Sequence, residues 1–272
     1  DSPFQGVLKD TLINALLQDR QDGTLYAGTS DGFFRSQDRG NTWQAATSGL
    51  TNKRINTLLQ DSQDGTLYAG TADGFFRSQD RGNTWQVTNP GLPRIYVSIL
   101  LQDSQNGMLY AGTSGGFFRS QDKGNTWQAA NTGLPTTSTG IYACQDAPCP
   151  GLLGIEIGVY ALLQDGQDGT LYAGTSGSIF RSQDKGNTWQ VTNAGLLPNT
   201  YIYTLLQDGQ GGMLYIGTKD GIFRSQDGGN SWMSASTGLS GRETYVILHS
   251  SQDKTLYAAT SEGVYKSQDE GS

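Results

Sequence analysis

The residues of this chain that could do chemistry are chiefly carboxylates, and most of them recur at fixed spacing. Asp38, Asp80, Asp122, Asp184 and Asp227 each stand third in an octapeptide first met as Ser36-Gln37-Asp38-Arg39-Gly40-Asn41-Thr42-Trp43. Asp269 stands third in a partial copy, Ser267 to Ser272. Such an aspartate could act as a catalytic acid or a calcium ligand. In a tight turn, however, a short carboxylate accepts hydrogen bonds from nearby backbone N–H groups, and the glycine two residues later supplies a backbone conformation that other residues resist. The tryptophan that closes each full copy, Trp43, Trp85, Trp127, Trp189 or Trp232, offers a large ring to bury and an indole N–H to tether it. Six repetitions of one chemistry point to a structural role, so neither a catalytic residue nor a metal site is expected among them.

Few groups remain for catalysis. The four glutamates are Glu156, Glu243, Glu262 and Glu270, and only Glu156 and Glu243 fall outside the repeated pattern near the same end of the repeats. A glycosidase needs two carboxyl groups at a controlled separation, one with a raised pKa, and these two are the candidate pair. His249 replaces a glutamine present in the other five repeats and has no serine or cysteine nucleophile signature near it. Arg35, Arg77, Arg119, Arg181 and Arg224, with Lys266 in the sixth copy, precede the boxes as periodically as the aspartates do. Cys144 and Cys149 lie five apart in one loop, where they could close a small disulfide or remain free thiols; with a single distant histidine they do not make a four-ligand zinc site.

Where near-identical units diverge, function has room. The second position of the first strand in each unit is Asn14, Asn56 and Ser98 in the first three, then Tyr160, Tyr203 and Tyr245 in the last three. Tyrosine faces stack on sugar rings or apolar side chains, and asparagine supplies paired donors and acceptors. These six positions are the candidate ligand-binding residues; packing between neighbouring units is the alternative for the tyrosines. The connections leading into each first strand also vary, and the third carries an insertion at about 135–158. Loops on a rigid scaffold are where binding usually sits.

The elements that position these residues follow from the spacing. Successive boxes begin 42, 42, 62, 43 and 42 residues apart, the long gap holding the insertion, and counting on from Ser267 around to Ser36 gives 41. A unit of about this length cannot bury its own apolar face and must stack on its neighbours. In the second unit, 55–60, 66–71, 75–78 and 85–88 read as strands separated by Asp-Gly turns and by the box. Four antiparallel strands in each of six units predict an all-β, six-bladed β-propeller forming one domain over 1–272. Residues 2–8 are expected to supply the fourth strand of the sixth blade, removing an open edge.

A formal charge of −7 and a pI near 4.6 repel phosphate backbones, so nucleic acid is not an expected partner. The longest apolar stretch, 151–163, contains Glu156 and is too short to span a bilayer, so membrane insertion is not expected either. Nothing in the pattern calls for a cofactor.

The motif Ser-x-Asp-x-Gly-x-Thr-Trp resembles the Asp box, or bacterial neuraminidase repeat, of sialidases, sortilin-type receptors, xyloglucan-cleaving propeller enzymes and photosystem assembly factors. The resemblance implies that the box joins the third and fourth strands of each blade, on the side away from the functional loops. Sialidases hold a substrate carboxylate with three arginines from separate places. Here the arginines are periodic, and each Phe-Arg continues into Ser where the family signature reads Phe-Arg-Ile-Pro. The expected function is that of a non-enzymatic, monomeric binding scaffold, extracellular or periplasmic, for a glycan or a protein. The alternatives are a glycoside hydrolase of sialidase type and a structural repeat segment of a larger surface protein.

Overall fold

A computed structural model of the chain describes residues 8, 11–51, 54–93, 95–134, 158–209, 212–239, 241–250, 252–253, 255–269 and 271. Cys144, Cys149, Glu156 and nearly all of the insertion lie outside these residues, as does residues 2–8 pairing with the last blade, since only Leu8 of that segment is described.

Every described strand belongs to an antiparallel sheet built from strands consecutive in sequence. The first sheet holds β1 (Ile13–Gln18), β2 (Leu25–Thr29), β3 (Phe33–Ser36) and β4 (Gln44–Ala45). The second holds β5 (Ile55–Gln60), β6 (Leu67–Thr71), β7 (Gly74–Ser78) and β8 (Gln86–Val87), and the third β9 (Val97–Gln102), β10 (Leu109–Thr113), β11 (Gly116–Ser120) and β12 (Gln128–Ala129). The fourth comprises β13 (Val159–Gln164), β14 (Leu171–Thr175), β15 (Ile179–Ser182) and β16 (Gln190–Val191). The fifth comprises β17 (Ile202–Gln207), β18 (Leu214–Thr218), β19 (Gly221–Ser225) and β20 (Met233–Ser234). The sixth has three strands among the described residues, β21 (Thr244–His249), β22 (Leu256–Thr260) and β23 (Gly263–Ser267). These are the six blades that the repeat spacing predicts. In the first five the fourth strand is only two residues long, shorter than the sequence suggests, which limits the edge it offers to other chains.

The chain forms two compact units: one of the residues up to Ser114 with Phe118–Ala129, the other of Gly115–Phe117 with the residues from Ala130 onward. The second strands of the first five sheets are buried on both faces, as in Leu67–Thr71 and Leu214–Thr218, so they read as continuous small and apolar residues rather than alternating ones, whereas Leu256–Thr260 of the sixth leaves Tyr257 exposed. One core cluster of the first unit joins Tyr68, Phe75, Val97, Leu109, Phe118 and Trp127. In the second unit, Tyr172, Ile179, Ile202, Ile216 and Trp232 make the corresponding cluster. Each cluster draws on two successive sheets, because one sheet alone has nothing to cover its face.

Buried polar staples add to this packing in the first unit. Asp19 and Asp61 are almost fully buried, and each accepts from a tyrosine of its own sheet and a glutamine of the next. Tyr26 Oη and Gln60 Nε2 lie 3.1 and 3.0 Å from Asp19 Oδ2, and Gln102 Nε2 lies 3.0 Å from Asp61 Oδ2. A carboxylate buried with partners on both sides is stabilising, whereas removing one partner would strand its charge.

Candidate functional site

The box aspartates are fully engaged by their own turns. Asp80 Oδ1 accepts from Ser78 Oγ at 2.8 Å and Thr84 N at 2.9 Å, and its Oδ2 accepts from Thr84 Oγ1 at 2.6 Å. The same bonds recur at Asp38, Asp122 and Asp184, and at Asp227 with Ser231 in place of threonine. In the partial sixth copy Ser267 Oγ bonds Asp269. The residue after the aspartate is left-handed even when it is not glycine: φ is 59° at Arg39, Arg81 and Lys185 and 57° at Lys123. The hydrogen bonds from the Thr42 hydroxyl and amide and from Ser36 hold the Asp38 carboxyl at about 2, and those from Ser231 and Ser225 do the same for Asp227. Such a carboxylate is already satisfied and is a poor proton carrier near neutrality.

The tryptophans divide. Trp85, Trp127, Trp189 and Trp232 are 2–3% exposed, each seated on the preceding sheet, whereas Trp43 is only half-buried.

The six divergent positions share a backbone feature that the sequence did not reveal. In every first strand the register with the second strand shifts at this residue. Ile13 pairs with Thr29 and Ala15 with Gly28, leaving Asn14 out of the ladder. Asn56, Ser98, Tyr160, Tyr203 and Tyr245 are skipped in the same way. Each is therefore the extra residue of a β-bulge, a device that re-aims a side chain away from the regular pleat.

The two units use the bulge differently. In the first, Asn14 Nδ2 donates to Ile55 O at 2.8 Å and Asn56 Nδ2 to Val97 O at 3.0 Å. Their amides thus brace the next sheet. Ser98 Oγ is buried without a hydrogen-bond partner among the described residues.

In the second unit the bulge tyrosines form a row with a member that the sequence comparison did not single out. Tyr201, just before β17, stacks on Tyr160 with ring centroids 4.9 Å apart. On its other side it lies 4.7 Å from Tyr203, which in turn meets Tyr245 edge-on at 5.1 Å. Glu243 stands before β21 as Tyr201 stands before β17, and its carboxylate accepts from Tyr245 Oη at 2.6 Å. Tyr201 and Glu243 each stand two residues before a bulge tyrosine, and each meets that tyrosine's side chain. A comparison of the residue two before each bulge, rather than of the bulge alone, would have shown this.

Burial, then the charge of Glu243, pushes the Tyr203 hydroxyl up to about 12, and its bond to Glu243 raises that of Tyr245. Both phenols stay protonated donors at neutral pH. Tyr245 is 43% exposed, so the row ends in an accessible ring and a carboxylate. The arrangement offers aromatic faces to an apolar or sugar surface and polar groups to its rim. Of the expected carboxylate pair, only Glu243 lies within the described residues.

Comparison with known proteins fits this geometry to a fold. A family model described as a two component regulator propeller matches residues 196–220. No curated protein matches the chain. Among solved structures, a GH74 xyloglucanase from Xanthomonas campestris superposes with a TM-score of 0.71 at 18% identity, covering 96% of this chain and 44% of that one. The fold is a six-bladed β-propeller. PorZ, a bacterial surface component of the type-IX secretion system of Porphyromonas gingivalis, matches with a TM-score of 0.69 at 14% identity over 93% of this chain and 38% of its own. YCF48 bound to D1 peptide matches at 0.64 and 17% identity over 97% of this propeller and 81% of that chain. The propeller thus spans less than half the length of the xyloglucanase and of PorZ. At these identities the likeness concerns fold alone. Among the described residues no helix is long and apolar enough to cross a membrane.

Proposed function

We propose that this propeller is a binding scaffold, not a catalyst, and that its ligand sits on the row Tyr160, Tyr201, Tyr203 and Tyr245 with Glu243 at the end. The carrying observation is the continuity of the row: four rings in sequential contact, ending in an accessible tyrosine that is hydrogen-bonded to a carboxylate. Aromatic rows of this kind recognise the flat apolar face of a sugar or of a protein side chain. Asn14, Asn56 and Ser98 belong to the same proposed set; the amide nitrogen of each asparagine also donates one hydrogen bond to the scaffold. The boxes are assigned the structural role of an Asp-box propeller, since their carboxylates are used up within the turn. An extracellular or periplasmic setting, a monomeric state and a Cys144–Cys149 disulfide are part of the same proposal.

Support for a protein ligand comes from YCF48, solved with a peptide, and support for a glycan from the xyloglucanase. Parallel glycan and peptide arrays with the purified protein decide between them. Hydrolysis of aryl glycosides by the protein, lost in Glu243→Gln, would replace the scaffold with an enzyme.

A further inference from the structure

In the first unit, the turn between the first two strands of a blade holds a cation sent from the box of the next blade. Asp22 Oδ1 accepts from Thr24 N at 2.9 Å, which leaves its other oxygen to Arg81 Nη1 at 2.5 Å. Asp64 repeats this with Thr66 N at 3.0 Å and Lys123 Nζ at 2.6 Å, and Lys123 Nζ also lies 3.6 Å from Oδ2 of the buried Asp61. An ammonium thus sits between two carboxylates. Its bond to Asp64 raises the Lys123 pKa, so the turn favours a charged amine. Arg81 and Lys123 occupy the left-handed position of their boxes, at φ 59° and 57°.

A turn of the second unit is built alike but meets a different box. Asp165 Oδ1 accepts from Gln167 N at 2.7 Å and Asp168 Oδ1 from Thr170 N at 2.8 Å, and among the described residues these are the only hydrogen bonds to the two carboxylates. In the box of the fifth blade the left-handed residue is Gly228, at φ 65°, which brings no side chain. Where its Cβ would stand, only Tyr172 Oη comes within 4 Å, at 3.9 Å. Two other donors differ as well. Tyr172 Oη donates to Gly228 O at 3.0 Å, whereas Tyr26 bonds Asp19. Gln207 keeps the pose of Gln102, its Oε1 accepting from Gly166 N at 3.1 Å as that of Gln102 does from Ser62 N. Its Nε2, however, is buried with no partner among the described residues, whereas Gln102 Nε2 bonds Asp61.

We propose that Asp165 and Asp168 bind the ammonium group of an alkylamine, either free or on a lysine side chain of another polypeptide. Lys123 supplies both the occupant and its pose, since its ammonium lies between the corresponding carboxylates and nearer the second. Asp168 is exposed, so an amine reaches it from solvent. Arg181 does not take its place. Arg181 Nη1 donates to Asn230 Oδ1 at 2.9 Å and to Gly228 O at 3.1 Å, and Arg77 makes the same bond to Asn125 at 2.9 Å in the box that carries Lys123. Calcium fits less well, because it takes about six to eight oxygens and Gly228 O is already engaged by Tyr172 and Arg181. The inference is independent of the tyrosine row.

The test is an NMR titration of the 15N-labelled full chain with ethylammonium chloride at constant ionic strength, followed at the Thr170 and Gly228 amides. Saturable shifts are expected, with a dissociation constant on the order of 10 mM for so exposed an ion pair. Tetramethylammonium, equally charged but without N–H donors, should bind at least about fivefold more weakly, and Asp168→Asn should weaken ethylammonium binding by a similar factor. Gly228→Lys supplies the ammonium from within, at a φ that Lys123 and Lys185 already adopt, and should abolish the response without lowering the melting temperature. Asp31→Asn removes the same charge in the first unit and should leave the response unchanged. The peptide acetyl-Gly-Lys-Gly-amide separates the two sources: tighter binding than ethylammonium assigns the site to lysine in a chain, and equal binding to the amine alone. Absence of saturable shifts, equal binding of tetramethylammonium, displacement of ethylammonium by equimolar calcium chloride, or a full response in Gly228→Lys would overturn the assignment.

Discussion

The ring of Tyr201 lies against that of Tyr160 with planes 30° apart, although the two residues belong to successive blades and are forty-one positions apart in sequence. Tyr201 holds the row together because it touches rings on both sides, whereas Tyr245 ends it. Stacked aromatic pairs contribute about 0.5–1.5 kcal/mol each beyond the area they bury. Tyr201→Ala is therefore expected to weaken ligand binding about tenfold, measured by calorimetry on whichever ligand the arrays return, and Tyr201→Phe to preserve most of it.

Tyr203 gives the row a signature in alkali. Its hydroxyl titrates at about 12 in the folded protein, against an ordinary value of 10. The unfolded chain therefore loses this proton first. The stabilisation is fully present below pH 10 and fades as the pH rises toward 12. Urea midpoints measured between pH 9 and 12 should fall more steeply for the parent than for Tyr203→Phe, which has no proton to lose.

The boxes set the opposite limit. Asp38 and Asp227 titrate at about 2 against an ordinary 3.8, so their turns contribute stability above pH 4 that is lost as the pH falls through 2. A melting series from pH 5 to pH 2 should show this decline, and Asp38→Asn together with Asp227→Asn should flatten it. Had these aspartates carried chemistry near neutrality, the double variant would change binding at pH 7 with no change in melting temperature.

The four seated tryptophans and Trp43 should respond differently to truncation. Trp127→Ala removes a nearly fully buried ring from a packed cluster and is expected to cost about 3–5 kcal/mol in urea denaturation. Trp43→Ala, at a half-buried ring, should cost well under half of that.

The fold was legible because its rules are local and repeated. The box, the Asp-Gly turn and the Leu-Tyr-Ala-Gly-Thr strand each fix a piece of backbone, and their spacing counts the blades. The candidate site was half legible. Tyr160, Tyr203 and Tyr245 stood out by divergence, but the bulge that re-aims them is a register shift between strands, which no single segment records. Tyr201 and Glu243 fell in connections of unequal length, where alignment by unit is weakest, so their places in the row appear only once β17 and β21 are set beside one another.

The tyrosine row is tested most directly by binding to the glycan and peptide arrays of the parent and of the triple variant Tyr160→Ala, Tyr203→Ala, Tyr245→Ala, with melting temperatures measured alongside. The scaffold proposal predicts ligands that the parent retains and the variant loses while both remain folded. An identical set of ligands held with equal affinity by both proteins would contradict it.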